Sequence, residues 1–181
     1  KFLSILIFLL FNFSFSQFRI GYDINGEFKL SGYEAESISS TDDGFTIGYE
    51  SIVETGKKLT YGVGGEFMLR KSIENIIGDF GFNSLYGFGR YQIDDKLYGI
   101  GRLGYNFFVG DNDFKDCGLC SVELEGGSFY GIGVGVILNP KISFEGLYIH
   151  NKGNFVANFG SYILIQEINY SRVLLGFTYK Y

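Results

Sequence analysis

Hydrophobic and polar residues alternate along most of this chain with a period of two, the repeat of strands whose two faces meet different surroundings. At the end of the chain, Val173, Leu175, Phe177, Tyr179 and Tyr181 fall on one side, and Arg172, Leu174, Gly176, Thr178 and Lys180 on the other. Residues 18–30 set Phe18, Ile20, Tyr22, Ile24, Phe28 and Leu30 against Arg19, Gly21, Asp23, Asn25, Glu27 and Lys29, with Gly26 interrupting the apolar phase. Segments 45–54 and 59–71 repeat the pattern, with Phe45, Ile47 and Tyr49 against Gly48 and Glu50, and Val63, Phe67 and Leu69 against Glu66 and Arg70. Segment 129–138 alternates Tyr130, Ile132, Val134, Val136 and Leu138 with Gly131, Gly133 and Gly135.

Three further segments are less regular. In 80–93, Tyr86 and Phe88 read as part of the apolar phase, with a slip at Gly89-Arg90. Segment 97–109 ends cleanly on Leu103, Tyr105, Phe107 and Val109, but its first half fits either phase. Segment 142–150 blurs at Gly146-Leu147. A glycine at a phase slip predicts a bulge. Together with the terminal segment this makes eight strands. Short links (55–58, 94–96, 139–141) alternate with long ones (31–43, 72–79, 110–126, 151–169), so an antiparallel sheet would gather all long loops at one end and the turns and both termini at the other. An eight-stranded antiparallel up-and-down barrel has that layout, and in a transmembrane barrel the short turns face the periplasm.

Which face is outside decides between a membrane barrel and a soluble one. The polar phase holds Gly21, Gly48, Gly62, Gly64, Gly131, Gly133, Gly135 and Gly176, together with Arg19, Asp23, Glu27, Glu50, Glu66, Arg70, Glu145 and Arg172. A glycine-rich face makes a poor water-exposed surface. Inside a narrow barrel, glycines leave room for longer neighbours, and charges of both signs can pair. Turned to lipid, an arginine at the midplane would cost about 2–4 kcal/mol. The apolar rows are therefore expected to face hydrocarbon, and the eight charged residues to form a polar network that plugs the lumen. Composition agrees: 27 Gly, 20 Phe and 14 Tyr with a single Pro suit many strands, and a net charge of −5 argues against nucleic acid as a partner. The apolar run 2–13 after Lys1 is shorter than the roughly 20 residues a spanning helix needs. With small residues at Ser14 and Ser16, it reads as the core of a cleavable signal peptide over 1–16, leaving a barrel domain over 17–181.

At this point the chain resembles the small outer-membrane β-barrel family that includes OmpX and the transmembrane domain of OmpA. The resemblance rests on Ser14-Phe15-Ser16 before Gln17, the eight-strand pattern and the terminal Phe177-Thr178-Tyr179-Lys180-Tyr181. It implies a location in the outer membrane among lipids and lipopolysaccharide. It also implies insertion by the barrel-assembly machinery, with Phe177, Tyr179 and Tyr181 as the C-terminal assembly signal, and non-enzymatic work in envelope integrity or adhesion.

Chemistry-bearing residues are few. Cys117 and Cys120, spaced C-x-x-C in the third long loop, fit a redox pair, half a metal site or a local disulfide. No thioredoxin-like βαβ unit surrounds them, and only His150 could add a nitrogen ligand, so a loop disulfide is the expected state in an exported chain. Asp111, Asp113 and Asp116 lack the Gly and Glu positions of an EF-hand loop and read as solvated acids, as do Glu34, Glu36, Asp42 and Asp43, with divalent-cation binding as the weaker alternative. His150, the only histidine, has no H-x-S pattern beside it and reads as a rim residue rather than a catalyst. Gly131-Ile132-Gly133-Val134-Gly135 lacks the helix and Lys-Ser/Thr of a phosphate loop. No cofactor, metal or catalytic set is expected.

Overall fold

In a computed structural model of the chain, residues 16–32, 36–74, 76–111 and 121–181 are described. They form ten strands in one antiparallel sheet. Eight long strands make the barrel: β1 (Ser16–Ser31), β3 (Gly44–Thr55), β4 (Leu59–Met68), β6 (Ile76–Gln92), β7 (Leu97–Gly110), β8 (Ser121–Asn139), β9 (Ile142–Asn158) and β10 (Ile163–Lys180). Each pairs with the next in this series, and β10 returns to β1 through Phe18–Tyr179, Ile20–Phe177 and Tyr22–Leu175. Closure leaves the wall no free edge, which is what lets a sheet stand in hydrocarbon with its backbone polar groups paired.

Two short strands were not visible in the alternation. β2 (Glu36–Thr41) and β5 (Lys71–Ile73) arise within stretches expected to be loops. β2 pairs with the upper half of β1, β5 with the start of β6, and the two touch at Thr41–Ile73. They carry the wall upward where β3 and β4 stop. The link expected at 151–169 is also mostly strand. β9 and β10 pair without a break from Ile142–Tyr179 to Asn158–Ile163, leaving a turn at 159–162. There Gly160 adopts φ 81°, its N–H donates to Asn158 Oδ1 at 2.8 Å, and Phe159 stacks on Tyr162. Beyond the barrel, the inner face stays apolar (Phe155, Ala157, Ile168) while the outer face mixes Lys152 and Glu167 with Ile163 and Ile165, so the period-two signal fades although the pairing continues.

β1 contains the bulge that decides the upper half. Asn25 takes φ 51°, a left-handed conformation that Asn tolerates, and the register to β10 shifts between Ile24 and Glu27. The faces exchange there. Phe28 turns into the lumen and Glu27 turns out to solvent. A second exchange follows β4: Leu69 and Arg70 lie outside any strand and exposed, and Lys71 then enters β5 facing inward. In β6 the slip expected at Gly89-Arg90 does not occur. Leu85, Gly87, Gly89 and Tyr91 face out, so Tyr86 and Phe88, expected on the lipid side, point inward together with Phe80, Phe82 and Arg90. β9 is likewise continuous at Gly146-Leu147, with Glu145, Leu147 and Ile149 inside. β7 resolves its ambiguous half the same way, with Tyr98, Ile100 and Arg102 inside.

The interior is filled in storeys. At the loop end, Phe28, Met68, Ile73, Phe80, Phe82, Phe108, Ile168 and Tyr170 pack into an apolar cap. Phe82 stacks between Phe108 (4.8 Å between ring centroids) and Tyr170 (5.9 Å). Toward the turn end, Ile52, Tyr86, Phe88, Tyr98, Ile100, Phe129, Leu147, Ile149 and Leu174 form a second apolar group woven among the charges. Inward glycines make room for it. A Cβ on Gly135 would sit 2.2 Å from the Tyr98 ring, and one on Gly48 would sit 2.9 Å from the Arg19 guanidinium.

Candidate functional site

Six of the eight residues expected in the polar network line the lumen: Arg19, Asp23, Glu50, Glu66, Glu145 and Arg172, each no more than 5 % exposed. Glu27 and Arg70 do not. The bulge at Asn25 and the end of β4 at Met68 turn both outward, corrections that a strict two-residue count could not anticipate. Arg90 and Arg102 take their place inside. Reading the clean half of β7 backward from Leu103 would have put Arg102 in the lumen. Arg90 was masked because its phase-mates Tyr86 and Phe88 are aromatic.

The charges form two linked groups. Toward the loop end, Arg172 donates from Nε to Asp23 (2.8 Å), from one terminal nitrogen to Glu66 (2.8 Å) and from the other to Asn151 (2.6 Å). Thr46 donates to the second Asp23 oxygen at 2.7 Å, and Arg19 closes on Glu66 at 2.5 Å. Toward the turn end, Arg102 reaches Glu50 (2.9 Å) and Glu145 (2.7 Å), and Arg90 reaches the same two carboxylates at 2.7 and 3.0 Å. Gln17 donates to Glu50 and accepts from Arg90 at 2.7 Å. The Tyr86 hydroxyl joins the groups, donating to Glu50 (3.0 Å) and accepting from Arg19 (3.2 Å). Four arginines thus meet four carboxylates in pairs that shield one another from the low-dielectric interior.

Such an assembly locks rather than reacts. Each carboxylate is held by at least one guanidinium, and the apolar cap stacks directly above. Buried pairs of this sort contribute little net stability over an apolar core. Breaking one is costly, because it strands the remaining charge. Their main effect here is to fix which strand faces which: Arg19 and Asp23 on β1, Glu66 on β4 and Arg172 on β10 can meet only in the closed ring.

The outer wall carries the opposite chemistry. Leu103 is 71 % exposed, Ile132 67 % and Ile20 52 %, within a continuous apolar band that no water-soluble surface would sustain. Aromatic pairs flank the band: Tyr22–Phe45 (5.1 Å) and Tyr105–Phe107 (5.4 Å) toward the loops, and Phe144–Phe177 (5.1 Å) toward the turns. Phe177, Tyr179 and Tyr181 all project outward from the terminal strand. His150 stacks on Tyr130 at 4.8 Å on this same wall, its ring bonded to Asn169. It lies mid-strand rather than at a rim, because β9 continues to Asn158. Ser171 sits opposite it in register. Cys117, Cys120, Asp113 and Asp116 lie outside the described residues, as does Glu34. Among those described, no group of three or more His, Cys, Asp or Glu side chains gathers as a metal site would require.

No family model and no curated protein sequence matches the chain. Solved structures do. OprG from Pseudomonas aeruginosa superposes with a TM-score of 0.53 at 14 % identity, covering 93 % of this chain and 96 % of that one. Ail, the attachment invasion locus protein of Yersinia pestis, gives 0.51 at 16 % identity over 93 % and 99 %. Neisserial surface protein A gives 0.53 at 16 % over 92 % and 97 %. The apolar wall, the closed ring and these likenesses agree: the chain has the fold of the small outer-membrane β-barrels.

Proposed function

We propose that this barrel is a non-enzymatic protein of the outer membrane that acts through its loop end, in adhesion or envelope integrity, with its turns in the periplasm. The observation that carries the reading is the sheet standing above the barrel. Residues 121–126 of β8, 153–158 of β9 and 163–168 of β10 stay paired beyond the point where β7 leaves β8 at Asn106–Gly127. This extension presents Tyr162, Ile163 and Ile165, each about three-fifths exposed, on a surface that needs no apolar residue for its own folding. The blocked lumen supports the same reading, since it leaves no passage for solute. Two of the similar structures are those of an attachment invasion locus protein and a surface protein.

Lipids and lipopolysaccharide would surround the apolar wall. The barrel-assembly machinery would read Phe177, Tyr179 and Tyr181, and residues 1–16 would be removed on export. The test is an Ile163→Glu/Ile165→Glu double variant in cells. Unchanged heat-modifiable gel mobility with lost surface attachment or raised detergent sensitivity is expected. A variant that behaves like wild type in both assays overturns the assignment of function to this surface.

A further inference from the structure

The turn end of the lumen holds a cavity of about 160 Å³ that the ionic core does not use. Arg90, Lys141, Lys180, Thr178, Ser143 and Gln17 are among its lining residues, and no carboxylate is. Arg90 forms the inner boundary. Its two terminal nitrogens are committed to Gln17, Glu50 and Glu145, but its Nε–H, buried, has no partner. Thr178, on the inward phase of β10 and only 2 % exposed, likewise leaves its hydroxyl unbonded. The Lys180 N–H donates to the Lys141 carbonyl at 2.8 Å, which places two lysines side by side on the rim. The carboxylates that could neutralise this end, Glu50 and Glu145, are already held by Arg90 and Arg102.

Ammonium groups and a guanidinium N–H can only donate, and a hydroxyl can donate as well. A small cavity with such a lining and no acid is matched to an oxyanion, which accepts from every side and is favoured by the positive charge of the two rim lysines. We propose that the turn-end mouth is a binding site for one small oxyanion, a phosphate or a carboxylate group, held by Lys141 and Lys180 at the rim and by Thr178 and Arg90 Nε at the base. The inference is independent of what the loop end does.

The experiment is a titration of the whole refolded, isotope-labelled barrel in micelles with sodium phosphate and, separately, sodium acetate, at ionic strength held constant with chloride. Saturable shifts at the Thr178, Ser143 and Lys141 amides, absent at Ile168 in the cap, are expected in the millimolar range. A Lys141→Ser/Lys180→Ser variant should bind roughly tenfold more weakly, as loss of charge-assisted contacts implies. Its gel mobility checks that the ring still closes. Saturation by phosphate alone identifies a phosphoryl ligand, and by acetate alone a carboxylate such as a peptide terminus; either supports the site. If neither anion saturates, or if the variant titrates as wild type does, the proposal fails.

Discussion

Arg102 holds two carboxylates at once, and its own side chain is fully buried. Replacing it with methionine keeps the volume but leaves Glu50 and Glu145 sharing the mostly buried Arg90, so unfolding in urea should show a loss of about 3–5 kcal/mol. Glu27→Ala and Arg70→Ala remove charges of the same kind from solvent-facing positions and should stay within about 0.5 kcal/mol of wild type. This contrast separates the residues that charge and alternation mark correctly from those they mark only by type. Arg19, Asp23, Glu50, Glu66, Glu145 and Arg172 are legible because they share one phase with the glycines and polar residues beside them in sequence. Glu27 lies two residues beyond a left-handed Asn, and nothing in a period-two pattern says where such a residue resets the count.

At the scale of elements, glycine placement and turn chemistry govern whether strands meet in register. Tyr98 donates to Glu145 at 2.8 Å across the space that Gly135 leaves open. Gly135→Ala should push the ring away, costing about 1–3 kcal/mol as overpacked sites do, with the effect concentrated on β7 and β8 in hydrogen exchange. The β6–β7 turn is held by Asp94, whose Oδ1 accepts from the Lys96 and Leu97 N–H groups at 2.8 Å each. These bonds keep its carboxyl below the ordinary Asp range. A carboxyl depressed in the folded state contributes above its unfolded pKa and ceases to do so as pH falls through the lower folded value. The Lys96 and Leu97 amide shifts should therefore hold steady down to about pH 4 and move only below it. The turns and the clean halves of the strands were readable in the sequence. β2, β5 and the long upper reaches of β9 and β10 were not, because above the apolar band the inner face packs on the cap while the outer face mixes polar and apolar residues, so no single apolar phase marks the outside.

For the whole molecule, the cap decides permeability. Phe80, Phe82, Phe108 and Tyr170 close the loop end with stacked rings, so planar-bilayer recordings should show no discrete steps. Phe80→Ala should lower stability by about 3–5 kcal/mol through the void it leaves, while the ionic groups beneath still obstruct the lumen. The ion pairs also bear on how the chain arrives in the bilayer. Asp23 and Arg172 belong to the first and last strands, 149 residues apart along the chain, and bond only when the ring is complete. Until that moment, any part-built sheet sunk in oil would carry naked charge on its concave side. Stalled intermediates are thereby penalised, and meeting of the two ends becomes the step that commits the chain to the membrane.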